Sequence, residues 1–326
     1  MAEGKGSSMQ IRKAVITAAA RGARLYPAAD TIQKAMLPLV DRDGLTKPVI
    51  QIIAEEALES GIEEIIVVCA PGDENAYRRQ FVALRENVLE TYRGADWARL
   101  QAEKLSNLED RLRFSVQEEP LGYGHAVYSA QQHVGDEPFL LLLGDHLYVS
   151  HIAGRRCAEQ LLQLAKQEDC PVAAVQATRE HLVGRYGTLT GKRHGDMPGA
   201  YQIERIIEKP SLSQAEIELY TPGLRVGHYL CFFGMYVLTP SLFGILEEAL
   251  SAGGKRNEVA LTPALQELAQ RERFLALELQ GTRYDIGGKY GLLQTQLALA
   301  LSGDDREEML TSVLELLAES ARRSAQ

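Results

Sequence analysis

Residues 138–145 have the sequence PFLLLLGD, in which an apolar run ends abruptly at Gly144-Asp145. A short run without polar alternation is typical of a β-strand that is buried on both faces. Three further segments are predicted to be strands: residues 13–18 (KAVITA), 64–70 (EIIVVCA) and 113–117 (RFSVQ). Helical sequence lies between them, in residues 48–60, 75–108 and 124–133. The β-α-β-α order predicts an α/β fold with a parallel sheet and helices on both of its faces.

The second half of the chain has a different pattern. After about Pro171, long β-rich stretches alternate with loops that contain glycine, proline or histidine. These stretches predict an added half of mixed α+β structure. Residues 289–302 and 306–321 have helical periodicity, and the second of these segments has an apolar Leu/Met face. That face could pack on another subunit or on its own domain, and the sequence leaves both interpretations open.

Composition excludes several classes of protein. The chain has 326 residues, of which 45% are hydrophobic and 24% are charged, as in an ordinary globular protein of one large or two smaller domains. The net charge of −9 opposes non-specific binding to nucleic acid or to an anionic membrane. The four cysteines show no C-x-x-C spacing, and residues 1–10 are interpreted as a disordered leader without a signal segment. A cytoplasmic location is therefore expected.

Two segments after the first predicted strand concentrate positive charge. Residues 18–27 are AAARGARLYP and residues 33–38 are QKAMLP. A loop of small residues lets backbone N–H groups approach phosphate oxygens, and arginine or lysine adds charge-assisted hydrogen bonds. The pattern indicates an anion site, although an ordinary basic surface loop would have a similar composition.

These segments resemble the signature of the sugar-1-phosphate nucleotidyltransferases, in which a G-x-G-T-R loop precedes a K-x-M-L-P string. Gly22, Arg24, Lys34 and the string Met36-Leu37-Pro38 match. The resemblance covers roughly residues 11–300, and the most similar subfamily transfers a uridylyl group between UTP and glucose 1-phosphate. It implies a Rossmann-like, glycosyltransferase-A-like fold with a mixed, mainly parallel sheet and a β-rich sugar-binding sub-domain. The implied organisation is a catalytic domain at 11–303, with a nucleotide half (11–150) and a sugar-phosphate half (151–303), then a C-terminal helix at 304–326.

Three residues depart from the family pattern. Ala20 replaces the first glycine of the loop, Ala23 replaces a Thr or Ser, and Ala35 replaces the Glu that often follows the lysine. Ala23 lacks a hydroxyl that could donate to phosphate. None of the three changes removes a cation or a metal ligand, so loss of activity does not follow.

The resemblance assigns roles to residues in several further segments. Residues 117–126 (QEEPLGYGHA) resemble the family's base-binding segment, residues 205–210 (RIIEKP) its sugar-phosphate segment, and residues 283–287 (RYDIG) its late aspartate element. The implied nucleotide-binding residues are Ala18, Ala19, Gly22, Gln117 and Gly122. The implied sugar-phosphate-binding residues are His146, Gly187, Glu208, Lys209 and Gly234. The implied catalytic cations are Arg24, Lys34 and Lys209, and the implied Mg²⁺ ligands are Asp145 and Asp285.

Elementary chemistry supports some of these assignments. The Gln117 side chain can donate and accept hydrogen bonds, as the imide edge of uracil requires. Mg²⁺ commonly binds one or two carboxylates together with substrate phosphates. His125 is expected to be an ordinary residue at the start of a helix.

The implied activity is uridylyl transfer from UTP to glucose 1-phosphate, which gives UDP-glucose and pyrophosphate. Two alternatives remain open: a catalytically silent regulatory protein that binds nucleotide sugars, and the same chemistry with dTTP or another hexose 1-phosphate. The resemblance also implies a homodimer or homotetramer, and no nucleic acid or membrane partner is expected.

Overall fold

The structure is a computed structural model that describes residues 9–20, 32–253 and 258–324. Most of the expected leader, residues 1–8, lies outside these ranges. The strands are β1 Lys13–Thr17, β2 Pro38–Val40, β3 Thr46–Pro48, β4 Glu64–Cys69, β5 Leu112–Val116, β6 Phe139–Leu143, β7 His146–Ser150, β8 Val172–Arg179, β9 Gly187–Arg193, β10 Ala200–Glu208, β11 His228–Leu238, β12 Leu275–Glu278 and β13 Gly281–Asp285. The α-helices are α1 Val49–Leu58, α2 Asp73–Thr91, α3 Asp96–Arg111, α4 Tyr123–Tyr128, α5 Gln131–Val134, α6 Cys157–Glu168, α7 Leu212–Glu218, α8 Ser241–Gly253, α9 Leu261–Arg271, α10 Gly291–Leu301 and α11 Arg306–Ser324. Short 3-10 helices span Lys34–Met36 and Glu180–Arg185.

The first half of the chain forms the parallel part of a large sheet. Across the described ranges this sheet has nine strands in the order β5-β4-β1-β6-β11-β8-β12-β10-β9. In its centre, Thr17 pairs with Val68 on one side and with Leu143 on the other. Because β5, β4, β1 and β6 are parallel, the loops that follow them leave from the same edge of the sheet.

Strand β11 joins the two halves and reverses the strand direction. It is antiparallel to β6, β8 and β9, and its 11 residues are long enough to pair with all three. Within the described part of the chain, the large sheet has four parallel pairings and five antiparallel ones. The sheet is therefore mixed, as expected, but it is not mainly parallel. Its first half is wholly parallel, whereas the second half has a single parallel pairing, β8 with β12. The β-rich stretches of the second half extend this same sheet.

A small two-stranded sheet carries two of the predicted site residues. Strand β7 starts directly after Asp145, strand β13 ends at Asp285, and the two strands are antiparallel. In this register Asp285 pairs with His146. The backbone N–H of Ile286 also donates to the carbonyl oxygen of Asp145 at 3.0 Å. This sheet joins two aspartates that are 140 positions apart in the sequence.

The core lies on both faces of the large sheet. Ala14 and Ile16 belong to one buried apolar cluster and Val15 to the other, as alternation along a strand covered on both sides requires. The helix predicted at 124–133 is divided into α4 and α5. All four cysteines are buried free thiols. None of the helices in the described ranges has the length and apolar character that a membrane crossing needs.

The C-terminal helix α11 leaves part of its apolar face uncovered. It packs against α10, and Met309, Leu310 and Val313 are half-buried. Three more leucines on α11 stay exposed, with 58–66% of their surface accessible: Leu314, Leu316 and Leu317. Packing on its own domain therefore accounts for only part of this face.

Candidate active site

Two adjoining cavities lie at the edge of the sheet where the parallel strands end. The smaller one, the sheet-edge cavity, has a volume of about 350 Å³, and Thr17, Ala18, Ala19 and Ala20 form part of its lining. The larger one, the wide cavity, has a volume of about 1290 Å³ and extends between the two halves of the chain. Both cavities are lined by Gly122, Tyr123, Leu143 and Glu258, so they form one continuous cleft.

The sheet-edge cavity contains every nucleotide-binding residue predicted from the sequence that the structure describes. Ala18 and Ala19 follow β1, and the Ala18 N–H donates to the Val68 carbonyl oxygen at 2.7 Å. Lys34 reaches the cavity from its 3-10 helix, and Gln117 and Gly122 follow β5. Ala20 and Ala35 also line this cavity. Gly22, Ala23 and Arg24 lie outside the described residues.

The backbone around Gly122 requires a glycine. Its φ is +96°, and a Cβ at this position would lie 2.7 Å from the carbonyl oxygen of Val259. The neighbouring backbone is tied to the same segment, because the Gly124 N–H donates to the Val259 oxygen and the Val259 N–H donates to the Leu121 oxygen, both at 2.8 Å. This pairing holds the 121–124 backbone at a fixed place beside Gln117.

Gln117 is buried, and its amide is held in one orientation. Its Nε2 donates to the Gly122 carbonyl oxygen at 3.1 Å and lies 3.2 Å from Nδ1 of His125. The backbone N–H of Gln117 donates to the Cys69 oxygen at 2.9 Å, which fixes the residue to the end of β4.

A charged cluster lies where the two cavities meet. Lys34 Nζ is 2.5 Å from Asp145 Oδ2, and His146 Nδ1 is 2.7 Å from Asp145 Oδ1. Burial by itself would raise the pKa of Asp145, but hydrogen bonds to His146 and Lys34 and their charges outweigh burial and hold that pKa well below its usual value. Asp145 is therefore a carboxylate at neutral pH.

Asp145, His146 and Asp285 could hold a metal ion together. One potential ligand atom from each of them lies within 4.8 Å of the others. The Asp285 carboxylate also accepts a hydrogen bond from the Gly287 N–H at 2.8 Å, which orients it. Two carboxylates supply the hard oxygen ligands that Mg²⁺ prefers. The donor set therefore fits the metal site that the resemblance implied.

The wide cavity contains all of the predicted sugar-phosphate residues. His146, Gly187, Glu208, Lys209 and Gly234 line it, as does Asp285. Glu208 Oε2 accepts a hydrogen bond from Thr262 Oγ1 at 2.6 Å, and Glu208 Oε1 is 3.4 Å from Lys209 Nζ. Lys209 has a φ of +45°, which is uncommon for a residue with a Cβ and often marks functional sites.

Sequence reasoning missed three cations in the wide cavity: Arg185, Arg283 and Lys289. The Arg283 guanidinium lies 4.2 Å from the ring centre of Tyr186 and donates to the Phe232 carbonyl oxygen. Each of the three cations is within four positions of a matched residue, Gly187 or Asp285. Arg283 is part of the matched string at 283–287, and inspection of the residues in and beside the matched strings could have found all three.

The arrangement as a whole suits two anionic ligands held side by side. The described cleft contains an amide and small residues at one end, a carboxylate pair with a lysine at its centre, and several cations and a carboxylate at the other end. Such a site can offset the charges of phosphate groups and orient them.

Comparison with known proteins gives consistent matches over nearly the whole chain. The family model described as "Nucleotidyl transferase" matches residues 13–301. A UTP–glucose-1-phosphate uridylyltransferase of Bacillus subtilis is 36% identical over 315 residues, which cover 94% of this chain and 97% of the relative. A crystal structure of UDP-glucose pyrophosphorylase with UDP-glucose has a TM-score of 0.70 and 30% identity, covering 89% of this chain and 98% of the other. A UTP-bound UGPase from Acinetobacter baumannii has a TM-score of 0.74 and 28% identity, covering 94% of this chain and all of the other.

Proposed function

Because the chain belongs to the nucleotidyl transferase family, we propose that it transfers the uridylyl group of UTP to glucose 1-phosphate, which gives UDP-glucose and pyrophosphate. One observation carries the proposal: the carboxylates of Asp145 and Asp285 converge where the sheet-edge cavity meets the wide cavity. Two substrates bound in adjoining cavities would place their phosphates at this junction.

The nucleotide occupies the sheet-edge cavity. Gln117 and Gly122 contact uracil, and the backbone at Ala18 and Ala19 lies beside the rest of the nucleotide. Lys34 contacts the triphosphate, an assignment supported by its buried position beside Asp145. Arg24 and Gly22 are assigned to the same phosphates by resemblance.

The sugar phosphate occupies the wide cavity. Glu208 binds sugar hydroxyls, Lys209 binds the phosphate, and His146, Gly187 and Gly234 line the pocket. The hydrogen bond from Thr262 to one Glu208 oxygen supports this role, because it orients the carboxylate and leaves the other oxygen beside Lys209.

The reaction needs alignment and charge compensation rather than a protein nucleophile. An oxygen of the glucose 1-phosphate phosphate attacks the α-phosphorus of UTP, and the bond to the departing pyrophosphate breaks on the opposite side. The attacking phosphate is already an anion at neutral pH, so no base has to deprotonate it. Lys34, Arg24 and Lys209 offset the repulsion between the two anions and hold them in line.

Asp145 and Asp285 would hold a divalent metal ion, which we assign as Mg²⁺. Bound there, it would supply positive charge that neutralises the negative charge of the phosphates. Contacts that orient both carboxylates support the assignment: His146 Nδ1 lies beside Asp145, and the Gly287 N–H donates to Asp285.

Three broader assignments accompany this function. The catalytic unit spans 11–303, with its sugar-binding part in the second half and the helix at 304–326 as an appendage. The protein forms a homodimer or homotetramer, which is supported by the exposed leucines on α11 that a second subunit could cover. It is located in the cytoplasm, which is supported by its four buried free thiols, since cysteines stay reduced there.

The function is tested at Lys209. Lys209→Met removes a charge-assisted hydrogen bond worth about 1.5–3 kcal/mol, so KM for glucose 1-phosphate should rise roughly 10- to 100-fold while KM for UTP stays nearly constant. Lys192→Met is the matched control, because Lys192 is an exposed lysine on β9 that pairs with Glu204. An unchanged KM for glucose 1-phosphate in Lys209→Met would contradict the placement of the sugar phosphate.

A further inference from the structure

The amide nitrogen of Gln117 has two acceptors. It lies 3.1 Å from the Gly122 carbonyl oxygen and 3.2 Å from Nδ1 of His125. A side-chain amide has two N–H bonds, and these two contacts use both of them. The second contact comes from α4, a different element from the loop that carries Gln117.

The Gly122 carbonyl oxygen determines which atom of the Gln117 amide, Nε2 or Oε1, faces it. A carbonyl oxygen can only accept, so the Gln117 atom 3.1 Å away must be the NH₂ group. The same NH₂ group faces His125, and therefore Nδ1 of His125 must be an acceptor without a proton. Rotating the amide by 180° would lose the hydrogen bond to Gly122 and would bring two oxygens together there.

The backbone on both sides of the His125 ring is anchored. The Gly124 N–H donates to the Val259 oxygen at 2.8 Å, and the His125 carbonyl oxygen accepts from both N and Oγ of Ser129, each at 2.9 Å. His125 therefore holds its ring against Gln117 from a fixed helical turn.

The remaining atom of the amide is Oε1. In the described part of the chain, no residue donates a hydrogen bond to it, and Gln117 lines the sheet-edge cavity. With both N–H bonds engaged, Gln117 can offer a base only an acceptor, so the expectation that its amide also donates to the base is wrong. The N3 position of uracil and thymine carries a proton, whereas N3 of cytosine is an acceptor that Oε1 would repel.

We propose that His125 is a positioning residue that selects the base, because it locks the Gln117 amide with Oε1 toward the nucleotide and so favours uridine or thymidine nucleotides over cytidine nucleotides. This inference rests on the proposed function, since it takes the sheet-edge cavity as the site of the base. It assigns discrimination between UTP and CTP to a residue that acts only through Gln117.

Three variants of His125 and one control variant test it. His125→Phe keeps a ring of similar shape but removes the acceptor, and His125→Leu replaces it if the Phe variant does not fold. His125→Asn restores an acceptor close to the position of Nδ1. His133→Leu is the matched control, because His133 lies on the next helix, α5, and lines neither cavity.

The readout is the ratio of kcat/KM for UTP to that for CTP, with dTTP as the internal reference. Loss of one hydrogen bond predicts that the UTP:CTP ratio falls roughly 3- to 10-fold in His125→Phe, while the UTP:dTTP ratio is unchanged. His125→Asn should recover most of the UTP:CTP ratio, and His133→Leu should keep all of it. Equal losses for UTP and CTP in His125→Phe would overturn the inference, since a purely structural role predicts that result.

Binding separates this inference from the proposed function. Calorimetric Kd values for UTP and CTP give the same ratio without turnover. If the unmodified protein binds UTP more tightly than CTP but makes no UDP-glucose, the proposed reaction is wrong and the role of His125 can still be measured. If it binds both nucleotides equally, or if His125→Phe leaves the Kd ratio unchanged, the inference is wrong.

Discussion

The pair formed by Lys34 and Asp145 should be strongly coupled in the free protein. Their charged atoms are 2.5 Å apart, and the two side chains are only 9% and 18% exposed. At an effective dielectric constant near 20, charges at this distance attract by about 7 kcal/mol, and the desolvation of two partly buried ions offsets a large part of that. We expect a net coupling of about 1–3 kcal/mol, within the range measured for residues in direct contact.

A double-mutant cycle measures this coupling. Among the residues that the structure describes, Lys34→Met leaves Asp145 with His146 as its remaining ionic partner, and Asp145→Asn removes the carboxylate that pairs with the nearly buried Lys34 ammonium. Each single variant should lose about 2–4 kcal/mol of unfolding free energy, somewhat less than the cost of breaking a fully buried pair. The double variant should lose less than the sum of the two by the coupling energy.

The assay is urea denaturation of the four proteins without added metal or nucleotide. Lys47→Met with Asp41→Asn provides a comparison, because Lys47 is also buried but pairs with three carboxylates at 2.7–2.8 Å. In the double-mutant cycle of Lys47 and Asp41, Asp41→Asn should lower the unfolding free energy less than Asp145→Asn does, because Asp43 and Glu55 still pair with Lys47. If the Lys34 and Asp145 losses add to within about 0.5 kcal/mol, the two residues do not interact energetically, and the charged centre described for the cleft is wrong.

Two further perturbations test the cleft and the core. Gly122→Ala and Gly61→Ala both place a Cβ at φ +96°, but only at Gly122 would it meet a backbone oxygen, at 2.7 Å. In urea denaturation, Gly61→Ala should lower the free energy of unfolding by about 1–2 kcal/mol. Gly122→Ala should lower it by more and should also raise KM for UTP. Equal losses of unfolding free energy in the two variants, with an unchanged KM for UTP, would contradict the described backbone. Burial raises the pKa of Glu56 to about 7, above its unfolded value of 4.5. Burial outweighs two nearby groups that favour the ionised carboxylate: the Ala158 N–H donates to Oε1 at 2.9 Å, and the Arg156 guanidinium lies 3.5 Å from Oε2. The protonated Glu56 carboxyl stabilises the folded protein fully below pH 4.5, and this stabilisation is lost as the pH rises to about 7. Because glutamine stays neutral at every pH, Glu56→Gln should have the same melting temperature as the unmodified protein at pH 5 and a higher one at pH 8. An identical pH dependence in both proteins would refute the raised pKa.

The first half of the fold could be predicted from the sequence because its signals are local. The apolar runs at β1, β4 and β6 are short, and the parallel arrangement follows from the helices between them. The direction of β11 could not be predicted in this way. It depends on which of several distant strands the long stretch His228–Leu238 pairs with, and no local pattern encodes that choice.

The candidate site was predictable only in part, for the same reason. Asp145 follows a buried strand, and chemistry alone directs attention to it. Asp285 joins it only through the register of β7 and β13, so its partnership with Asp145 came from family resemblance and not from spacing. The contact between His125 and Gln117 depends on how the start of α4 faces the end of β5, which the string G-x-G-H-A does not specify.

The most direct measurement is the formation of UDP-glucose and pyrophosphate from UTP and glucose 1-phosphate, with and without Mg²⁺, by the unmodified protein and by Asp145→Ala. We predict that the unmodified protein forms the two products in equal amounts and only when Mg²⁺ is present. We predict that Asp145→Ala forms neither product, although its circular dichroism spectrum shows that it is folded. Unchanged turnover in Asp145→Ala would contradict the metal site. Thermal stabilisation of the unmodified protein by UTP without any product would contradict the proposed reaction and would identify a silent nucleotide-binding protein instead.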